Sequence, residues 1–288
     1  MSDARIVVLP GGKAVLAENG PLHLVLQAYF GAKADTALAR EAAAYAFKCL
    51  GSVAESQSLL RQRHGLIKLL PKNEIARAMV QSVRLVGDED LTPMAAVAGT
   101  IADFVADWLF SRKATKVIVD NGGDIAIRLE AGESARVGLR PVIESQEISH
   151  TILLDSRCAS WGVTTSGMGG RSLTRGIASA VTVFAATSSL SDAAATAIAN
   201  GCFAKDDNII QVPAIAVDPS SDLGELPVTV SALGVAGETV QKALENGLNK
   251  AVALRQRGLI CGALLVVGGQ LVQTPGFAES VAELSHYE

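Results

Sequence analysis

Hydrophobic and polar positions change period several times along this chain. In RIVVLPGGKAVLAENGPLHLVLQAYF (residues 5–30), apolar runs are broken at Pro10-Gly11-Gly12 and Asn19-Gly20, which predicts a meander of two or three strands. From Asp35 to about Gln62 the spacing turns helical and Ala-rich, with Asp35 as the cap and Gly51 as an interruption. A second helix is predicted from Asn73 to Val86. A third begins where Thr92 caps and Pro93 takes the first helical position of TPMAAVAGTIADFVADWLF.

Short apolar runs follow and read as strands: KVIVD, IAIRL, ARVGLRPV, HTILLD, SWGVTT and AVTVFAA. A helix from Ser189 to about Asn200 stops at Gly201. Beyond it come a strand NIIQV, a loop over residues 213–227, a helix near Glu238 to Arg257, and a final strand pair turning at Gly268-Gly269. No linker or repeat divides the chain, so residues 1–288 are read as one α+β domain of two or three layers, with room for two intimately packed lobes.

Composition narrows the function classes. Apolar residues make up 49% of 288 positions, enough for a sizeable core. The 25 Lys and Arg against 29 Asp and Glu show no long run of one sign, which argues against nucleic acid as a partner. The basic stretch Arg61 to Lys68 reads as a solvated helix end. Cys49, Cys158, Cys202 and Cys261 lack metal-site spacing and are expected to be reduced, buried, small apolar residues. With neither a leader pattern nor an apolar run of bilayer length, the expectation is a cytoplasmic protein without a membrane partner.

Three segments offer chemistry. In SLSDAAATAIANG, Asp192 and Thr196 stand four apart on a helix, so a carboxylate and a hydroxyl share one face, a hard-oxygen pair suited to magnesium or calcium. The competing reading makes Ser189-x-x-Asp192 a capping box and returns the Thr196 hydroxyl to its own backbone. In VIVDNGGDIAI, a hairpin at Asn121-Gly122 accounts for the glycines, while Asp120 and Asp124 flank the turn as candidate general bases. In GVTTSGMGG (residues 162–170), Thr164, Thr165 and Ser166 offer hydroxyls and Gly167 an amide to an anion that Arg171 or Arg175 would neutralise, but the same run also fits a plain turn.

Read in order, TPMAAVAGTIADFVAD, VDNGGDIAI, GVTTSG and SDAAATAIAN resemble the serial motifs of the ApbE-like family, which includes the FAD:protein FMN transferases, and most resemble its uncharacterised, shortened cytoplasmic members. The resemblance spans about Thr92 to Gly201. It implies an α+β, T-fold-like architecture of largely antiparallel sheets packed with helices. It also implies magnesium held by Asp192, Thr196 and a backbone carbonyl near Ala96 or Ala98. The flavin nucleotide, FAD or FMN, would be lined by Gly122, Gly123 and Asp124 and by Thr165, Ser166 and Gly167, with Asn121, Thr164 and Arg171 as further candidates beside them. The implied reaction is phosphoryl transfer from FAD to an acceptor threonine.

The chain departs from the transferases in three respects. The interval between the Thr165-Ser166-Gly167 turn and Asp192 lacks a His-x-x-Asp-Pro segment, Gly99 stands at or beside the position of a lysine, and no lipoprotein signal is seen. Transfer, flavin holding without turnover, another reaction on a phosphorylated or carboxylated metabolite, and a role through homo-oligomerisation all stay open. Each takes a small anionic molecule as the partner, except the last.

Overall fold

The N-terminal meander forms as its pattern requires, and everything else is added to it. In this computed structural model, which describes residues 4–140, 148–170 and 172–286, strands β1 (Arg5–Val8), β2 (Val15–Asn19) and β3 (Leu22–Phe30) run antiparallel, with a short β4 (Lys33–Ala34) folded back on β3. Helix α1 (Thr36–Glu55) starts where Asp35 accepts the amide of Leu38 at 2.9 Å. It ends at Ser56 and not at Gly51, which stays helical, before a short α2 (Gln57–Leu60). Asn73 caps α3 (Glu74–Val86) through the amide of Ala76 at 3.0 Å.

Thr92 and Pro93 open a helix as expected, but its first turn, Pro93–Ala96, is wound more tightly than the α4 (Val97–Phe110) that follows, and Ala96 is the junction. The span Pro93–Phe110 is long and apolar enough to cross a bilayer by composition, with a mean hydropathy of 1.3. Here it is a core helix, 56% buried within the fold.

The strands β5 (Lys116–Asn121), β6 (Asp124–Leu129), β7 (Ser134–Leu139), β8 (His150–Asp155), β9 (Ser160–Ser166) and β10 (Ala178–Ala185) match the apolar runs. Pro141 and Val142, included in the expected ARVGLRPV strand, lie outside the described residues. After α5 (Ser188–Gly201) come β11 (Ile210–Pro213), α6 (Ala214–Val217), β12 (Pro227–Ser231), α7 (Gly237–Gln256), β13 (Gly262–Val267), β14 (Gln270–Gln273), α8 (Phe277–Ser280) and β15 (Ser285–His286). Strand β12 and helix α6 fall partly or wholly in what the sequence reads as loop, because one short run paired to β11 gives little periodicity to detect.

Ten strands make one antiparallel sheet in the order β1-β2-β3-β5-β6-β9-β10-β13-β14, with β4 attached to β3. One face carries the helices, as two apolar clusters. Helices α1, α3 and α4 cover β2, β3 and β5, while α5 and α7 cover β10 and β13. The opposite face, with Ile127, Trp161 and Phe184, packs against the small sheet β15-β8-β7 and α8. The result is an α+β fold of helices on largely antiparallel sheets. Where the two helical clusters meet, α4 and α5 cross the middle of the sheet above β6 and β9.

Two of the four cysteines fit the expectation of buried small residues. Cys49 and Cys202 are buried, and burial pushes their thiols up to about 11 and about 12. Cys158 is exposed in the β8–β9 turn, and Cys261, just before β13, is half-buried at the margin of the cluster around Trp161 and Phe184.

Candidate functional site

Alternation along the central strands decides which candidate residues meet. Val119 and Ala126 belong to the cluster under α4, so Asn121, Asp124 and Arg128, at even spacing from them, stand on the helix-facing side of the sheet. Asp120 is one residue out of step and stands on the other face. Its carboxylate accepts the amide of Gly123 at 2.7 Å, closing the turn. The tight turn itself is Gly122-Gly123 between the paired Asn121 and Asp124, one residue later than the expected Asn121-Gly122. Both glycines have positive φ, 67° and 105°, which L side chains rarely adopt.

Strand β9 divides its hydroxyls the same way. Thr164 and Ser166 lie opposite Val183 and Val181, which face the helices, whereas Thr165 pairs across to Thr182 on the far side, its hydroxyl 2.9 Å from the Thr182 hydroxyl. The β6–β9 register, Ile125 opposite Val163, carries Asp124 to the level of Thr164. Asn121, Asp124, Thr164 and Ser166 therefore form one polar edge beneath the crossing of α4 and α5. Gly167, at φ 155°, then lets the chain turn so tightly that a Cβ would lie 2.8 Å from the Ser179 carbonyl.

Above this edge Asp192 reaches out of α5 to the start of α4, accepting the amide of Gly99 at 2.9 Å. The helices touch here because Gly99 has no side chain: a Cβ would stand 2.3 Å from the Ser188 carbonyl oxygen and 2.9 Å from the Asp192 Cβ. The carbonyl of the neighbouring Ala98 accepts from the Asn121 amide at 3.1 Å. Thr196, one turn further along α5, is buried on the same helix face. Burial pushes the Asp192 carboxyl up, the Gly99 amide pulls it partly back, and the adjacent Asp103 charge adds to the rise, leaving its pKa at about 7.

The capping-box reading of Asp192 does not hold. The cap of α5 is Thr187, whose hydroxyl accepts the Leu190 amide at 3.3 Å, and Asp103 of α4 takes the next free donors, the amides of Ser188 at 2.9 Å and Ser189 at 2.7 Å. Asp103 is in turn bound by Arg128 at 3.0 Å, and Arg128 also reaches Asp107 at 2.7 Å. Burial alone would lower the Arg128 pKa, but the charges of Asp103 and Asp107 hold it above the ordinary value. A protein carboxylate thus fills the anion-binding end of α5, and Asp192, bonded to the Gly99 amide, has no part in capping it.

Four buried hydroxyls have no hydrogen-bond partner within the described residues: Thr100, Thr164, Ser166 and Ser188. All four belong to the elements that converge here. Buried polar groups are ordinarily satisfied, which sets these four hydroxyls apart from the rest of the described core. Arg171 lies outside the described residues. Arg175 is committed elsewhere, to Asp90 at 2.6 Å and Asp88 at 3.8 Å. Sequence reading passed over Asp103 and Arg128, although each breaks an otherwise apolar helix or strand face, which was the signal available.

A family model described as AbpE bacteria matches residues 6–273. The chain belongs to that family. Among curated relatives of this AbpE member, a UPF0280 protein of Methanopyrus kandleri is 38% identical over 168 residues, 57% of this chain and 66% of that one. A UPF0280 protein of Methanococcus aeolicus is 37% identical over 141 residues, 47% of this chain and 55% of that one. The AbpE chain thus aligns with between about half and two thirds of the length of these relatives. Two solved structures share its fold end to end. The flavinyl transferase ApbE of Pseudomonas stutzeri, in apo form, superposes with a TM-score of 0.55 at 13% identity, covering 98% of this chain and 99% of that one. The flavin transferase ApbE of Vibrio cholerae gives 0.52 at 13% identity, covering 96% and 99%. The expected ApbE-like architecture is therefore present in this AbpE protein.

Proposed function

We propose that the chain binds a flavin nucleotide, FAD or FMN, by its phosphate oxygens between the β9 edge and α5, and that it transfers FMN from FAD with the help of magnesium. The observation that carries this reading is the state of Asp192: a carboxylate set inside the fold beside a second carboxylate, Asp103, with no ion pair among the described residues. That environment favours a bound cation.

The donor set fits magnesium. Asp192 and Thr196 supply a carboxylate and a hydroxyl from one helix face, and the junction at Ala96, or Ala98 beyond it, supplies a carbonyl, all hard oxygen ligands. When bound there, the ion would offset negative charge on the diphosphate. The unpartnered hydroxyls of Thr164 and Ser166 would donate to phosphate oxygens, and the glycine turns Gly122-Gly123 and Gly167 would let backbone approach the ligand. In this reading Asp124, on the helix side of the sheet, would accept the proton of an attacking hydroxyl as its oxygen bonds to the FMN phosphorus and AMP departs. Asp120, on the opposite face and tied to the Gly123 amide, would not.

A second reading keeps the ligand and drops the turnover. The interval Gly167–Ser191 contains neither histidine nor an acidic residue, so that stretch supplies no acid–base group, which favours a protein that holds a flavin or hands it on. One experiment separates the two. FAD with magnesium should raise the melting temperature of the wild type and leave Asp192→Ala unshifted. Release of AMP on long incubation with a threonine-bearing acceptor supports transfer, and recovery of intact FAD supports holding. Absence of any shift with FAD or FMN, with or without magnesium, sinks both.

A further inference from the structure

The segment between α2 and α3 exposes three leucines in a way that burial elsewhere does not explain. Leu66, Leu69 and Leu70 are 68%, 82% and 43% exposed, while Ile67 among them is buried at 4% and anchors the loop to the core. Two arginines of α3 hold the loop backbone in place. Arg77 donates to the carbonyls of Pro71 at 3.0 Å and Lys72 at 2.9 Å, and Arg84 donates to that of Ile67. The leucines are thus presented to solvent by a pinned backbone, at a cost in apolar exposure that the fold does not recover.

Charge identifies the partner. From Ser56 to Asn73 the chain has Arg61, Arg63, Lys68 and Lys72 and no acidic residue, in a protein whose net charge is −4. Arg61 is engaged by the carbonyls of Ser220 and Ser221, and Arg63 by Asp90, but Lys68 and Lys72 stand exposed on either side of Leu69 and Leu70. We propose that this loop docks on an anionic lipid bilayer, with Leu66, Leu69 and Leu70 entering the acyl boundary and Lys68 and Lys72 meeting the headgroups. A symmetric contact with a second copy fits worse, because it would set these cations against their own counterparts. A protein groove also fits worse, since the segment contains no aromatic residue, the usual anchor of such contacts. The stretch from Arg61 to Lys68, expected to be a solvated helix end, is in this view part of a docking surface.

The test is cosedimentation of the full-length protein with vesicles of phosphatidylcholine alone or mixed with phosphatidylglycerol. Binding to the mixed vesicles is expected, about tenfold weaker on phosphatidylcholine and similarly weakened by high salt. Leu69→Ser with Leu70→Ser should abolish it, and Lys68→Glu with Lys72→Glu should remove the preference for anionic lipid. Because these side chains are exposed, circular dichroism and the unfolding midpoint should match the wild type. Equal binding to both vesicle types, or wild-type binding by the leucine variant, would overturn the proposal. So would failure to bind the mixed vesicles, and a dimer in sedimentation velocity that the leucine variant dissolves would then assign the surface to a second copy.

Discussion

Asp192 of α5 accepts the backbone amide of Gly99 in α4 at 2.9 Å, across a contact so close that a Cβ at Gly99 would overlap the Ser188 carbonyl. The site carboxylate and the crossing of the two helices are therefore one structural feature. Gly99→Ala is expected to destabilise the protein by about 1–3 kcal/mol, the usual cost of forcing extra volume into a packed contact. Urea unfolding measures it, and ligand binding should fall with it because Asp192 moves with α5.

The raised pKa of Asp192 has a defined consequence for stability. A carboxyl whose folded pKa stands at about 7, above its ordinary value near 3.8, favours the fold most when protonated. Its contribution is complete below the ordinary value and declines as pH rises through about 7. Melting temperatures across this range should fall more steeply for the wild type than for Asp192→Asn. Saturating magnesium should flatten the wild-type slope. Parallel curves for the two proteins would contradict the assignment.

Asp103 and Arg128 form a buried pair that also caps α5. Arg128→Met should cost about 3–5 kcal/mol by leaving Asp103 short of its counter-charge. Asp103→Ala should cost more, since the Ser188 and Ser189 amides lose their acceptor as well. Chemical denaturation of the two variants gives the order.

Thr164 separates ligand effects from folding effects. Its hydroxyl is buried and without a partner among the described residues, so Thr164→Val, which keeps the shape, should leave stability within about 0.5 kcal/mol of wild type or raise it. Affinity for FAD with magnesium, read by calorimetry, should fall. Unchanged affinity would remove Thr164 from the ligand site.

The helices and strands were legible in the amino-acid order because capping residues and periodicity act over a few positions. Asp35 and Thr92 cap as read, Asn73, read as the start of its helix, caps it, and Gly268-Gly269 turns. The site was legible only in part. Alternation sends Asp124 to the helix side and Asp120 away from it, and likewise Thr164 and Ser166 toward α5 and Thr165 toward Thr182. A residue list holding all five could not know which face of the sheet the helices would cover.

By itself the sequence determined the local elements, the α+β class and the segments in which polar groups gather, because these follow from spacing along one chain. Only the tertiary structure decided that Asp192 meets Gly99 and does not cap its own helix, that Asp103 takes that capping role and that Arg128 neutralises it. These pairings join residues 25 to 93 positions apart. Their geometry is set by how closely α4 and α5 cross over the sheet, a property of packing that no single segment contains.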